Sequence, residues 1–494
     1  MTTHLFDPTI LRAYDIRGIF EETLTRTDAF HIGLSFISLQ RHRTHDSSVA
    51  VGRDGRLSSP ALSDALIDGL VAGGAQVTDI GCGPTPMLYF AAHELETGGA
   101  IQVTGSHNPP RHNGFKMVMG GASFFGEDIA VLGEASAAGV ARVDGGTRRE
   151  ISVEAAYIDR ISEGLTSDGM NVVWDCGNGA AGVVTNQLVK RLAGQHHVLF
   201  PEIDGTFPNH HPNPVDPETL QILRAEVADK GAQIGIGFDG DGDRIGVVDA
   251  KGRQVPGDLL TAYMAQDVGL RHKGKPMLLD VKSSDVAMDL LRKAGSVPEI
   301  WKTGHSHIKK RMKEVGAPLA GEMSGHIFIA DNYYGFDDAI YAGMRVIDQG
   351  VRTGFDITAF MDSLPEQHAT PELRVPCPDS EKFAAMDTIT AHVLACNDPD
   401  AVSTIDGVRV RTEGGWWLLR ATTSARLECV ATDRVMWWHI VTVAPSAISI
   451  IAAGRPTISE WPIITTSSPG KVRPVALIIS TEAAAVQGTR AISE

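Results

Sequence analysis

Four short segments hold residues whose types and spacing suit chemistry. In Asp239-Gly240-Asp241-Gly242-Asp243-Arg244, three carboxylates alternate with two glycines. Alternate residues of an extended chain point the same way, so the three acids are expected to converge, with glycine leaving the space between them clear. Carboxylates this close repel one another unless a cation sits among them. Their hard oxygens favour Mg²⁺ or Ca²⁺ over zinc or copper. An EF-hand loop beginning at Asp239 would need glycine at its sixth position and glutamate at its twelfth; Arg244 and Ala250 stand there and exclude it. Gly235-x-Gly237-x-x-Gly240 matches the dinucleotide-binding fingerprint in letters. That fingerprint opens a helix, whereas here the strand-like Ile245–Val248 follows.

The second segment is Thr104-Gly105-Ser106-His107-Asn108-Pro109-Pro110, which follows an apolar strand-like run. A serine in a tight turn at a strand's C-terminal end suits a nucleophile or phosphate carrier, in the region where open α/β sheets bind ligands. The third is Gly321-Glu322-Met323-Ser324-Gly325-His326. Its carboxylate, hydroxyl and imidazole can bond sugar hydroxyls, and His326 can move a proton near neutral pH. The fourth, Thr303-Gly304-His305-Ser306-His307, lacks the further ligands that a zinc site needs, so no metal role is expected there.

These loops need strands to hold them. Ser48–Gly52, Gln76–Ile80 and Ala100–Thr104 read as buried strands. Ser59-Pro60 reads as an N-cap with proline at the first helical position, opening a helix to about Leu70. Strand, helix, strand is a βαβ unit, which implies a mostly parallel, covered sheet. The cycle restarts with Val172–Asp175, Gly177–Gly182 and Gln233–Gly237, then again with Met277–Val281 and Asp285–Lys293, before Leu319-Ala320 leads into a loop. A different region begins near Thr370, with Val408–Arg411 and Trp417–Arg420 as strands.

A chain of 494 residues suggests three to four domains, and 43% hydrophobic with 21% charged residues excludes a wholly disordered, collagen-like or disulfide-scaffold protein. The formal net charge of −16 argues against nucleic-acid binding. The one basic trio, Lys309-Lys310-Arg311, reads as a solvated helix face. Five scattered cysteines without a C-x-x-C pair suggest a reducing compartment. Met1–Arg17 carries no signal-peptide pattern, and no apolar run reaches about 18 residues. A cytoplasmic enzyme is expected, with no membrane or nucleic-acid partner and no obligate protein partner.

Taken in order, the motifs resemble those of the bacterial phosphomannomutase/phosphoglucomutase members of the α-D-phosphohexomutase family. Arg12-Ala13-Tyr14-Asp15-Ile16-Arg17-Gly18 resembles the N-terminal motif. T-G-S-H-N-P-P with Asn113-Gly114-Phe115-Lys116 resembles the phosphoserine loop, D-G-D-G-D-R the magnesium loop, and G-E-M-S-G-H the sugar loop. Val51-Gly52-Arg53-Asp54, Phe207-Pro208-Asn209-His210-His211-Pro212 and Trp301-Lys302-Thr303-Gly304-His305 also fit. The resemblance implies three α/β domains, at 1–150, 151–252 and 253–367, and a smaller C-terminal α+β domain at 368–494 around a central cleft. It implies exchange of a phosphoryl group between positions 1 and 6 of mannose or glucose, through glucose 1,6-bisphosphate or mannose 1,6-bisphosphate. Met323 fits the mannose/glucose group better than the phosphoglucosamine mutases, which more typically have Gln there. The same residues would also serve a sugar phosphatase or, with a defective C-terminal domain, a sugar-phosphate-binding pseudoenzyme.

By the same resemblance, Ser106 carries the phosphoryl group and, with Asp239, Asp241 and Asp243, binds one Mg²⁺. Arg17, Lys116 and Arg244 supply positive charge, Lys116 and His326 are the candidates for moving the hydroxyl proton, and His107 orients the loop. Tyr14, Lys282, Gly304, His305, Glu322 and Ser324 contact substrate. The family's last phosphate loop has the form Arg-x-Ser-Asn-Thr. Here Arg420 is followed by Ala421-Thr422-Thr423-Ser424, which leaves Arg420, Thr422 and Ser424 as the phosphate ligands. Beyond Ala421 the pattern stops, and the remaining chain reads as an altered reading frame or an unrelated extension on a poorly packed domain.

Overall fold

The four chemical segments, at 104–110, 239–244, 303–307 and 321–326, each follow the C-terminal end of a strand, so the sheets determine where they lie. The structure is a computed structural model that describes residues 1–366, 370, 372–378, 380–412, 415–422, 426–433, 441–444 and 447–450. It divides into two compact units, Met1–Leu364 and Pro365–Glu494.

The first unit holds three sheets. In the first, the strands run in the order Ile16–Ile19, His112–Met119, Gly99–Val103, Ser48–Arg53, Gln76–Cys82, Thr147–Glu150, with Ala122–Ser123 beside His112–Met119. The last four of that order are parallel, and the two pairings at the other end are antiparallel. Val49, Ala50 and Val51 are buried on both faces, as a strand covered by helices on each side must be. The second sheet runs Gln254–Val255, Ile245–Asp249, Ile234–Phe238, Asn171–Asp175, Gln195–Leu199. The third runs Val297–Trp301, Pro276–Asp280, Leu319–Gly321, Ile327–Ile329. One apolar core joins all three units of sheet and helix, from Tyr89 and Phe90 through Trp174 and Phe238 to Leu279. At its centre the helix Ala339–Thr353 is buried all round from Ala339 to Gly350, the pattern of a helix with no solvent face.

The second unit has an antiparallel sheet ordered Leu373–Pro376, Arg426–Asp433, Gly415–Ala421, Val408–Arg411, Val402–Ser403, packed on the helix Lys382–Cys396 through Met386, Ile389 and Val393. Val441–Ala444 and Ala447–Ile450 form a separate hairpin. The α/β class, with three α/β sheets followed by a smaller α+β region, is therefore as expected.

Three local expectations change. Ser59 is not the N-cap: it lies inside the helix Ser59–Ala72, and its hydroxyl bonds Asp54 Oδ1 at 2.5 Å. Leu319–Gly321 is a strand, completed by pairing on both sides. The chain after Ala421 is not poorly packed at once: Arg426–Asp433 pairs with two strands and sends Leu427 and Cys429 into the core. Residues 451–494 lie outside the described residues. Among those described, no helix is long and apolar enough to cross a membrane.

Candidate active site

Ser106 occupies the first turn after the strand Gly99–Val103, with a backbone φ of +49°. A residue with a Cβ is strained there and needs its surroundings to hold it. Thr104 Oγ1 accepts from the Ser106 N–H at 2.8 Å, and Asp54 Oδ2 accepts from Thr104 Oγ1 at 2.9 Å and from the Gly105 N–H at 3.0 Å. Arg56 then donates to four carbonyls of the same loop: Ser106 and Asn108 at 2.6 Å, Pro109 at 2.7 Å and His112 at 3.0 Å. A Cβ on Gly105 would lie 2.3 Å from Arg56 Nε, so glycine is required at that position.

The acidic segment joins the antiparallel strands Ile234–Phe238 and Ile245–Asp249. Its acids do not converge by alternation along an extended chain. The loop folds back on itself: Asp239 Oδ1 accepts from the N–H groups of Asp243 and Arg244, both at 3.1 Å, and Gly242 takes φ +72°. All three side chains are fully buried, and one oxygen of each lies within 4.8 Å of the others. Ser106 Oγ donates to Asp239 Oδ2 at 2.7 Å, which joins the first two segments.

Lys116, on the strand His112–Met119, contacts Asp241 Oδ2 at 2.7 Å and also Asp243 Oδ2. Thr85 Oγ1 donates to Asp241 Oδ2 at 2.5 Å. Burial, reinforced by the neighbouring acids, pushes the Asp239 and Asp243 carboxyls up. At Asp241 burial is outweighed by Lys116 and Thr85, which hold the carboxyl below its usual range. Asp241 Oδ1 and Asp243 Oδ1 are buried with no hydrogen-bond partner. Buried anionic oxygens left in this state are costly, and a hard cation bound by three carboxylates is the chemistry that satisfies them. The residues therefore fit a divalent metal.

His326 Nε2 accepts from Arg244 Nε at 3.0 Å, and its Nδ1 lies 3.0 Å from Asp337 Oδ2. His107 Nδ1 is 3.1 Å from Ser106 Oγ. Burial, with Arg244 and Arg17 nearby, holds His107 well below the usual imidazole range and keeps it neutral. Glu322 is buried, accepting from the Gly304 N–H and from Ser324 Oγ, each at 2.8 Å. Gly304 has φ +125°, and a Cβ there would lie 2.9 Å from the Tyr14 ring, whose hydroxyl donates to the Thr303 carbonyl at 3.3 Å. His305 stacks on His326 with centroids 5.4 Å apart. Lys282 is buried just beyond the strand Pro276–Asp280, and Arg17 donates to Asp15 at 2.5 Å.

This arrangement can be compared with known proteins. Sequence models of the phosphoglucomutase/phosphomannomutase α/β/α domains I, II and III match residues 8–135, 155–252 and 256–368. A phosphomannomutase/phosphoglucomutase of Pseudomonas aeruginosa is 42% identical over 416 residues, covering 84% of this chain and 89% of that protein. The chain belongs to the phosphoglucomutase/phosphomannomutase family. It is thus a phosphohexomutase by class, an isomerase that works by phosphoryl transfer. A phosphoglucomutase of Neisseria gonorrhoeae is 39% identical over 418 residues, with 84% and 90% of the two chains covered. A crystal structure of a family protein from Burkholderia thailandensis superposes with a TM-score of 0.81 at 39% identity, covering 87% of this chain and 94% of that one.

Within the first unit the fold brings together Tyr14, Arg17, Ser106, His107, Lys116, the Asp triplet, Arg244, Gly304, His305, Glu322, Ser324 and His326, and Lys282 belongs to the same unit. Arg420 and Thr422 belong to the second unit. There Arg420 bonds Asp406 at 3.0 Å and Glu428 at 2.9 Å, and Thr422 Oγ1 donates to the Arg426 carbonyl at 3.0 Å. Ser424 lies outside the described residues. Sequence reasoning missed Arg56, Thr85 and Asp337, and gave Asp54 no role. Lys309 was misread as part of a solvated face. It is largely covered and pairs with Asp337 at 2.9 Å, because its helix His305–Val315 packs that turn inward. The signal for Asp337 was present: Asp337-Asp338 directly precedes an apolar helical run, where acids cap.

Proposed function

We propose that the protein interconverts the 1-phosphates and 6-phosphates of mannose and glucose through a phosphorylated Ser106. The observation that carries this reading is the 2.7 Å contact between Ser106 Oγ and Asp239 Oδ2, which joins a nucleophilic hydroxyl to the acidic triplet. In the first half-reaction a sugar hydroxyl attacks the phosphorus of phospho-Ser106. The new P–O bond forms as the P–Oγ bond breaks, the hydroxyl proton passes to His326 Nε2, and Ser106 leaves as the alkoxide. The bisphosphorylated sugar, glucose 1,6-bisphosphate or mannose 1,6-bisphosphate, then reorients. Ser106 Oγ attacks the other phosphate, and His326 returns its proton to the departing sugar oxygen.

Phosphoryl transfer asks a protein chiefly for positioning and charge stabilisation. Arg17, Arg244 and Lys116 supply the positive charge. Lys116 is a donor-only ammonium already bound to two carboxylates, so His326 suits the base role better, its Nε2 lone pair becoming available when Arg244 Nε turns from it to the transferred phosphoryl group. Asp239, Asp241, Asp243 and a phosphoserine oxygen on Ser106 would hold Mg²⁺, which when bound neutralises charge on the transferred group. Glu322 keeps lone pairs for sugar hydroxyls beyond its two internal bonds, and Ser324, Tyr14, Lys282, Gly304 and His305 line the same side. Arg420, Thr422 and Ser424 are assigned to the non-transferring phosphate. The four domains expected from the resemblance, and a cytoplasmic location, belong to the same reading.

Phosphorus NMR of purified protein with Mg²⁺, a hexose bisphosphate and mannose 1-phosphate or glucose 1-phosphate tests it. The 6-phosphates should accumulate. Release of inorganic phosphate without isomer would indicate a phosphatase, and binding without turnover a sugar-phosphate-binding protein.

A further inference from the structure

Three loops that carry substrate residues follow neighbouring strands of the third sheet. Val297–Trp301, Pro276–Asp280 and Leu319–Gly321 are parallel, with Pro276–Asp280 in the middle. Asp280 is in register with Trp301 on one side, and Leu279 with Gly321 on the other, so the three C-terminal ends lie side by side. From these ends the chain runs into Lys282, into Thr303-Gly304-His305 and into Glu322-Met323-Ser324. Asp280, the last residue of the middle strand, is fully buried.

Its side chain takes one hydrogen bond from each loop. Ser283 Oγ donates to Oδ1 at 2.9 Å, the Met323 N–H donates to Oδ1 at 3.3 Å, and Thr303 Oγ1 donates to Oδ2 at 2.9 Å. We propose that Asp280 is a positioning residue that sets the spacing of these three loops and so governs binding of the hexose phosphate. A carboxylate suits that task because it only accepts and has room for about four hydrogen bonds. An amide in its place would turn an N–H toward at least one of the three donors. Each bond also falls beside a residue expected to meet the sugar. Ser283 adjoins Lys282, and its N–H returns to the Asp280 carbonyl at 3.0 Å. Thr303 adjoins Gly304, and Met323 stands between Glu322 and Ser324, so a shift at Asp280 moves both of the latter. A second strut, from the Gly304 N–H to Glu322 Oε1 at 2.8 Å, joins two of the loops but leaves the Lys282 loop untied. The three bonds all lie within the third α/β unit, whereas Ser106 and the Asp triplet belong to the first and second. Loss of Asp280 should therefore fall on substrate binding more than on phosphoryl transfer.

The inference rests on these loops contacting the sugar, and the test separates the two. The full-length enzyme and its Asp280→Asn, Thr303→Val, Thr303→Ser and Glu322→Ala variants are assayed with Mg²⁺ and mannose 1-phosphate, and Mg²⁺ binding is measured by calorimetry. Asp280→Asn should raise KM at least about tenfold with kcat little changed. Thr303→Val removes one strut and should raise KM about three- to tenfold, the scale of one hydrogen bond. Thr303→Ser keeps the hydroxyl and should behave as the unsubstituted enzyme, and both variants keep the carbonyl that Tyr14 bonds. The Mg²⁺ isotherm should not change in any Asp280 or Thr303 variant. A native KM in folded Asp280→Asn, or Thr303→Ser as impaired as Thr303→Val, would overturn the positioning role. A Mg²⁺ isotherm that weakens along with KM would overturn it too, because that is a general loss of structure. Should Asp280→Asn not fold, the two Thr303 variants decide alone. A native KM in Glu322→Ala would instead overturn the reading that these loops contact the sugar.

Discussion

Arg56 Nη2 donates to the Ser106 carbonyl at 2.6 Å, from a side chain with no solvent exposure. Together with the bonds to Asn108, Pro109 and His112, this contact holds a serine in a left-handed backbone conformation that it would not choose alone. Arg56→Met would leave the buried Asp54 carboxylate and four carbonyls short of their donor. A stability loss of about 3–5 kcal/mol is expected in urea unfolding, since that is the scale for removing one partner of a buried pair. In variant protein that remains folded, kcat should fall at least about tenfold through misplacement of Ser106. Full turnover in folded Arg56→Met would show that the clamp is not needed for chemistry.

Gly240 packs directly on the same loop, and a Cβ there would lie 2.4 Å from the Ser106 carbonyl oxygen. Gly240→Ala should therefore push the acidic loop away from Ser106. Misplacements of about 1 Å can cost on the order of 100-fold in rate, and a loss of that size is expected in steady-state assays, together with a lowered melting temperature because the clash is with backbone. Unchanged kcat would mean that the two loops do not need this close approach.

Asp241→Asn keeps the shape of the side chain but removes one charge from the triplet. Outer-shell partners of metal ligands already cost about 10- to 100-fold in affinity when removed, so Mg²⁺ binding measured by calorimetry should weaken at least about tenfold. Excess Mg²⁺ should restore part of the activity. An unaltered Mg²⁺ isotherm would place the metal elsewhere.

His210 holds the loop that follows the second sheet's edge strand. Its Nε2 lies 2.9 Å from Asp175 Oδ2 and its Nδ1 lies 3.0 Å from the His211 carbonyl, so both nitrogens face acceptors. Burial opposes the charged ring, but the Asp175 carboxylate outweighs it and raises the imidazole above its usual value. A raised folded-state value means stability that is fully present below the unfolded-state value of about 6.5 and is lost as pH rises through the folded-state value. The urea-midpoint gap between the unsubstituted protein and His210→Gln should be wider at pH 5.5 than at pH 8.5. A gap that is constant or widens with pH would refute the pair.

The strands were legible in the sequence because buried parallel strands are short apolar runs with clear ends. Ser48–Arg53, Asn171–Asp175 and the helix Asp285–Lys293 lie within a residue or so of their expected positions. The reacting groups were legible because Ser106, the Asp triplet and Glu322 to His326 sit in compact motifs. The supports were not. Arg56 drew no reading from the sequence and Lys309 reads there as solvated, and only tertiary packing reveals that Arg56 is buried, and Lys309 largely covered, against a carboxylate. The acidic loop was assigned to the right chemistry by the wrong geometry, because a fold-back turn and an extended segment both bring alternate acids together. After Ala421 the motif pattern fails while the buried, strand-pairing run Leu427 to Val430 continues, which is why the sheet extends further than the motifs do.

The central claim is that Ser106 relays the phosphoryl group between sugar oxygens, and mass spectrometry of the protein tests it most directly. Purified protein is incubated with glucose 1,6-bisphosphate and Mg²⁺, mapped by peptide, and then chased with unlabelled mannose 1-phosphate. A single phosphoryl group on Ser106, discharged to the added sugar as a bisphosphate and absent from Ser106→Ala, is the expected result. A phosphoryl group on another residue, none at all, or discharge to water as inorganic phosphate would contradict the account.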